Sequence, residues 1–395
     1  MADAPPPAKR ERDIRLDVFR GLAMGIILIA HIPNNPWTLW IPARFGFSDA
    51  TEMFVFCSGM ASAFAFGKLY LSNGWKAGTR RVGKRVGQVY FAHILLFFLT
   101  LSLVIALTAL AITGRDYVGE LNLYPFLAEG SAWSVWVNRV SLFTLTYVPN
   151  YFDILPMYLI VLALLPLIMA LARGSVWLAF ALSAALWLGA QAGLLWLPAE
   201  PWTDREWFFN PFGWQLLFFT GFAFILRWLP KPRVRWWLVA LSIVFVVLSV
   251  PAAWFRLHES FGWALAYREV LWPFMDKTDF GILRYLHFLA LAYLAYTVAG
   301  EGGARFRVAG EDAIARLARW FLGLVQTVGQ QALIVFVTSM VLAQALGFVL
   351  DLTGRTVLTV PLVNVIGLAI LYGVARVASW VKKRPQRLRA APATA

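Results

Sequence analysis

The sequence predicts an all-α, polytopic integral membrane protein of about ten transmembrane helices, with both termini in the cytoplasm. Three observations predict it. Of 395 residues, 60% are hydrophobic and only 14% are charged, with a mean hydropathy of +0.67. Apolar stretches of membrane-spanning length recur along the whole chain. The charge between them alternates in sign from one connection to the next, as topology demands.

The expected spans are 16–34, 50–71, 88–112, 152–172, 175–197, 211–229, 235–251, 281–299, 330–350 and 357–379. With the N-terminus inside, the inner segments hold 26 of the 35 basic residues and 7 of the 21 acidic ones. The outer segments hold 9 basic and 14 acidic residues. This positive-inside asymmetry, with anionic headgroups as counter-charge, accounts for the net charge of +14 and leaves no surplus that calls for nucleic acid. Residues 1–15 read as a disordered basic cytoplasmic tail, 16–380 as one transmembrane domain, and 381–395 as a second basic tail. The opening "MADAPPPAKRERDIRLD" lacks the short apolar core of a secretory signal. No internal repeat or separate soluble domain is evident.

Cys57 is the only cysteine, so no disulfide framework or cysteine-based metal site forms within one chain, and no metal is expected. Of four histidines, His31 and His287 are read as sitting in a membrane-like setting. The outer connections 114–139, 198–210 and 251–281 are long and rich in tryptophan, including Trp133, Trp136, Trp202 and Trp207. Interfacial anchoring is the ordinary role of such residues; with nearby Asp, Glu and Asn they also suit stacking on sugar rings. The segment 305–327 has the pattern of an amphipathic helix on the inner surface.

Ionisable residues inside a span are costly and therefore functional candidates. They gather toward the outer ends: His31, Asp49, Glu52, Asp153, Arg284 and His287. At ~1.5 Å per residue, His31 stands about 20 Å beyond Val18, well past the middle of the membrane. A neutral imidazole there is suited to accept a proton, with Glu52 or Asp49 to fix its tautomer; a histidine bonded to a backbone carbonyl is the bland alternative. Arg20 lies at the inner end of the same helix. Eleven steps bring Arg20 and His31 back to one helix face, so that face can line a path with an anion held at the bottom and a base at the top. "GTRRVGKRVGQ" (78–88) groups Arg80, Arg81, Lys84 and Arg85 on the inner side. It is either positive-inside charge or a seat for phosphates, which arginine recognises bidentately.

"RLDVFRGLAMGIILIAHIP" followed by "FGFSDATEMFVFCSGM" resembles the opening of the OpgC proteins, succinyltransferases of osmoregulated periplasmic glucans within the transmembrane acyltransferase-3 superfamily. The superfamily's R-x10-H pattern matches Arg20 and His31. Its second-span pattern matches "MFVFCSGM", with Ser58 and Gly59, and its basic motif matches Arg80, Arg81 and Arg85. "YFDILPMYLI", "FNPFGWQLLFFTGF" and "DKTDFGILRYLHFLALAYL" are similar to OpgC itself, so the resemblance covers about 13–380. "VGQQALIVF" (328–336) departs from the pattern, where a small or hydroxyl residue is expected.

The resemblance implies a multi-pass protein of the bacterial inner membrane. It would move a succinyl group from cytoplasmic succinyl-CoA to hydroxyls of a periplasmic glucan, with no permanently bound cofactor. On that reading Arg80, Arg81, Arg85, Lys84 and Arg20 meet the CoA phosphates, and His31 is the general base, oriented by Glu52 or Asp49. Arg284, Ser58 or a backbone N–H supplies the oxyanion donor. Arg44, Lys277 or Arg284 takes the succinyl carboxylate. Asp153, Asn210 and Gln215, with His287 nearby, bind the glucan. Direct transfer and an acyl-His31 intermediate both stay open, as does a homodimer. The rival readings are an O-acetyltransferase of another surface polysaccharide, a transporter or flippase, and a scaffold without chemistry.

Overall fold

In the computed structural model, residues 13–390 are described, with side chains through 382. The terminal stretches 1–12 and 391–395 of the two expected tails lie outside the described residues. The chain is all-helical, and the only β-bridge among the described residues joins Pro198 and Glu206. In order, the helices are Ile14–His31 (α1), Ala50–Ser62 (α2), Lys68–Ala109 (α3), Tyr117–Glu120 (α4), Tyr124–Leu127 (α5), Ala132–Phe143 (α6), Ile154–Gly174 (α7), Val176–Gln191 (α8), Pro211–Leu226 (α9), Trp236–Ala253 (α10), Phe255–Ser260 (α11), Gly262–Leu271 (α12), Ile282–Ala299 (α13), Ala313–Gln330 (α14), Ala332–Thr353 (α15) and Thr359–Ala390 (α16).

Six helical stretches are long and apolar enough to cross a membrane: Ala50–Ala109, Ile154–Gly174, Trp236–Ala253, Ile282–Ala299, Ala332–Thr353 and Thr359–Lys382. Two shorter apolar helices, Val176–Gln191 and Pro211–Leu226, accompany them. The protein is thus a multi-pass membrane protein. Each apolar stretch expected from the sequence falls on one of these helices or on α1, which carries Arg15, Asp17 and Arg20 in its first two turns.

Several boundaries differ from expectation. The first helix starts at Ile14, because Asp13 caps it by accepting from the Arg15 amide and pairing with its guanidinium. A π-helical turn over Ala63–Gly67 joins α2 to α3, and α3 itself is kinked at Gly74, whose φ of 81° suits glycine alone. The basic stretch 78–88 therefore sits in the early turns of α3, not in a loop. The amphipathic segment becomes a 3₁₀ turn over Glu301–Phe306 followed by α14, capped by Asp312. The last helix continues to Ala390, through much of the expected second tail.

Helix starts follow local chemistry. Asp49 and Glu52 form a reciprocal capping box on α2, and Asn210 caps α9, each worth about 1 kcal/mol. Crossings follow residue size, since only glycine lets backbones touch. A Cβ on Gly59 would lie 1.9 Å from the Phe218 carbonyl oxygen, so α2 and α9 meet backbone to backbone. Gly21 on α1 and Gly329 on α14 do the same, against the carbonyls of Val325 and Asp17. The glycine contacts lock α1 to α14 and α2 to α9, and α1 also packs on α2, with the buried rings of Trp214, Phe218, Phe222 and Phe97 filling the core around them.

Candidate active site

His31 is the last residue of α1, and the chain turns away through Pro33 and Asn34. Its Nδ1 lies 2.7 Å from the Ile27 carbonyl oxygen. A carbonyl only accepts, so Nδ1 carries the ring proton and Nε2 is left as an acceptor. His31 lines a cleft of about 480 Å³ with Arg44, Arg115, Glu120, Tyr151 and Gln344. The Tyr151 ring stands edge-on to the imidazole, centroids 5.6 Å apart. Tyr151 is held at a φ of 71°, a left-handed conformation that costs a non-glycine residue of order 1 kcal/mol.

One rim of the cleft is a chain of charges. Arg115 pairs with Glu120 and with Asp351, the latter at 3.0 Å. Asp351 also accepts from Tyr117 Oη and from Arg355. Arg355 in turn donates to the carbonyls of Asn34 (2.9 Å) and Pro33 (3.3 Å), just after His31. Connections from three parts of the chain are thereby tied to the backbone that carries the imidazole.

Two further ion pairs involve the start of α2, and one of them acts on His31. Lys277 Nζ lies 2.6 Å from Asp49 Oδ2, and both charges act on the imidazole. Glu52, fully buried, receives Arg284 Nη1 on one oxygen and the Asp49 amide on the other, each at 2.7 Å. Burial alone would raise the Asp49 carboxyl; Lys277 and Arg284, helped by the hydrogen bond from Lys277, outweigh it and hold the group well below the usual carboxylate range. The carboxylates expected to orient His31 are thus committed to cations and to a helix cap, and the Ile27 carbonyl sets the tautomer instead. Arg284 keeps its buried Nε without a partner.

The remaining expected residues divide. Arg44 is exposed in the cleft, its Nε donating to the Thr38 carbonyl. Asp153 is buried and accepts from the Phe208 amide. Asn210 donates to the Leu195 carbonyl and to Asp279, and Gln215 exchanges bonds with Ser183. Both amides are spent on holding α9, which leaves no group for a sugar. His287 bonds Ser48 through Nδ1, with its ring pressed on Gly46. Ser58 is buried in α2.

At the other end of α1, about 16 Å from His31, the Arg20 Nε is buried without a partner. Cys57, Tyr158, Asp17 and Arg85 are the charged or titratable groups that act on it. Arg80, Arg81 and Lys84 are exposed on α3 with no ion pair among the described residues, and Arg85 is half-buried.

A family model described as OpgC protein matches residues 12–383. The chain belongs to the OpgC family. No curated protein and no solved structure matches it. OpgC membership makes the chain, in general terms, a glucan-modifying acyltransferase. The OpgC match spans both ends of α1 and every residue of the cleft.

Sequence reading missed four cleft residues, Arg115, Glu120, Tyr151 and Gln344, and the bracing pair Asp351 and Arg355. It also missed His93, which lies inside the span expected over 88–112 and is fully buried against Phe152, with neither ring nitrogen bonded. His93 is therefore a third histidine within the helical core.

Proposed function

We propose that this OpgC-family chain transfers a succinyl group from cytoplasmic succinyl-CoA to a hydroxyl of a periplasmic glucan, across the bacterial inner membrane. Ten helices span the bilayer with both termini inside: α1, α2, α3, α7, α8, α9, α10, α13, α15 and α16. The observation that carries the reading is His31, whose Nδ1 proton is committed to Ile27 while the ring lines the outer cleft. The glucan hydroxyl gives its proton to Nε2 as its oxygen attacks the thioester carbonyl carbon. The tetrahedral intermediate collapses with cleavage of the C–S bond, and Nε2 returns the proton to the departing CoA sulfur. The polar walls and the Tyr151 ring suit a sugar, which is met by carboxylates and an aromatic face. Arg44 in the cleft and the spare Nε of Arg284 are the cations suited to a succinyl carboxylate and to the oxyanion. Arg20, Arg80, Arg81 and Arg85 serve the donor phosphates at the opposite end.

The test is transfer by purified protein in detergent, from succinyl-CoA to a glucan oligosaccharide, followed by mass spectrometry and by release of CoA thiol. Succinylated glucan with stoichiometric thiol supports the proposal. Acetyl transfer in its place moves the donor assignment, and movement of substrate without turnover favours a transporter.

A further inference from the structure

The buried side-chain amides of this protein are spent on the protein itself. Asn35 and Asn364 exchange hydrogen bonds, and each also donates to a carbonyl, of Ile29 and Val360 respectively. Asn210 and Gln215 are used up on α9 and its neighbours, and Gln331 accepts from Lys382. Such satisfaction is the rule, because a buried polar group without a bond has lost its water for nothing. Gln344 on α15 is the exception. It is only 5% exposed, yet neither end of its amide has a hydrogen-bond partner among the described residues.

Gln344 lines the cleft that holds His31, and it is the only buried polar side chain to do so among the described residues. The register of α15 sets its depth. Gly347 is pressed against Pro33, where a Cβ would lie 2.6 Å from the proline Cδ. Asp351 holds the rim through Arg115, Tyr117 and Arg355. Residues three and seven apart share a helix face, so Gln344, Gly347 and Asp351 all face the turn that follows His31. At ~1.5 Å per residue, Gln344 stands about 10 Å deeper than Asp351 and about 4 Å deeper than Gly347. Since Gly347 is level with Pro33, two residues past His31, the amide and the imidazole lie at one depth, below the charged rim.

The chemistry of the amide narrows what it binds. An oxyanion or a carboxylate only accepts, and it would leave the Gln344 carbonyl oxygen buried and unpaired. A hydroxyl both donates and accepts, so hydroxyls on one sugar ring satisfy both ends of the amide. The cleft, at about 480 Å³, is of the size that takes such a ring.

We propose that Gln344 is a specificity-determining residue of the acceptor site: its Nε2 and Oε1 bond hydroxyls beside the reacting one on the same sugar ring, and so fix which hydroxyl meets His31 Nε2. This rests on the acyl-transfer reading given above. A site built to bond a hydroxyl rejects an acceptor that lacks it, because the site's own polar group is then left unpaired.

Full-length wild type and Gln344→Met, which keeps the length of the side chain and removes both hydrogen-bonding ends, are purified in detergent. Transfer from succinyl-CoA is measured to a glucan oligosaccharide and to monodeoxy analogues that retain the succinylated hydroxyl, and NMR locates the succinyl groups. In wild type, at least one analogue should lose about tenfold in kcat/KM, as expected for one hydrogen bond to a buried partner. In Gln344→Met the parent glucan should lose a similar factor, chiefly through KM, and that analogue should lose little more. Losses that do not add are the mark of direct contact. Succinyl should also spread over more than one hydroxyl in the variant. Wild type that uses every analogue like the parent overturns the proposal, whatever the variant does. So does a Gln344→Met loss that is equal for all acceptors with the succinylated position unchanged, which makes the residue structural. A raised KM for succinyl-CoA alone gives the amide to the donor and overturns it too. No transfer by wild type removes the acyl-transfer reading, and the proposal with it.

Discussion

Glu52 and Arg284 join α2 to α13, and removing one partner should be far more harmful than removing both. Glu52 is fully buried and its side chain has two contacts: Arg284 at 2.7 Å and the Asp49 amide at 2.7 Å. Arg284→Met leaves a buried carboxylate with one hydrogen bond and without its directly paired cation. Breaking a buried pair from one side typically costs about 3–5 kcal/mol. The surviving amide bond and the nearby Lys277 place this case at the low end, about 3 kcal/mol. Glu52→Gln in the same chain removes the orphaned charge while keeping an acceptor for the Asp49 amide. The double variant should therefore regain most of the loss, a coupling of about 2 kcal/mol. Equilibrium unfolding in detergent micelles, followed by tryptophan fluorescence, measures all four corners of the cycle. If the two single losses simply add in the double variant, the pair is not what joins α2 to α13, and the reasoning fails.

Two further outcomes follow. Arg355→Ala frees the carbonyls of Pro33 and Asn34, so glucan succinylation should fall about tenfold while the unfolding midpoint changes little; unchanged kinetics would reduce the Arg115–Asp351–Arg355 chain to surface charge. Asp49 and Glu200 both have folded-state pKa values below the ordinary carboxylate range: burial would raise each, but Lys277 acts against it at Asp49, and Thr203, Arg205 and Asn122 at Glu200. Their stabilisation is fully present above the unfolded pKa of about 4 and is lost as pH falls through the lower folded values. The thermal midpoint of Asp49→Asn should therefore lie below wild type at neutral pH and converge with it in acid, and a constant gap across that range would contradict the assignment.

Much of this was legible before any coordinates. Spans could be read because hydropathy is a property of contiguous residues; the caps at Asp49 and Asn210 were not recognised as such, although their partners lie only two or three residues away. His31 could be read from its depth in an apolar helix. Its orienting group could not be chosen: a backbone carbonyl one turn back leaves no letter in the sequence, whereas Glu52 and Asp49 are conspicuous. The cleft rim was illegible for another reason. Arg115 and Asp351 are 236 residues apart, and in the sequence each is one charged residue in an outer loop. Asn210 and Gln215 show the converse error. Buried amides near an outer surface suggest sugar binding, but helix ends and neighbouring carbonyls use the same hydrogen bonds. The Gln330–Gln331 pair looked like a defect because its partners, Asp17 and Lys382, are remote in sequence.

The most direct measurement is succinyl transfer from succinyl-CoA to glucan by purified His31→Gln and His31→Ala proteins whose folding and CoA binding match wild type. Loss of a positioned general base should lower kcat by about 100-fold or more in both. Transfer at the wild-type rate in both variants would contradict the role given to His31.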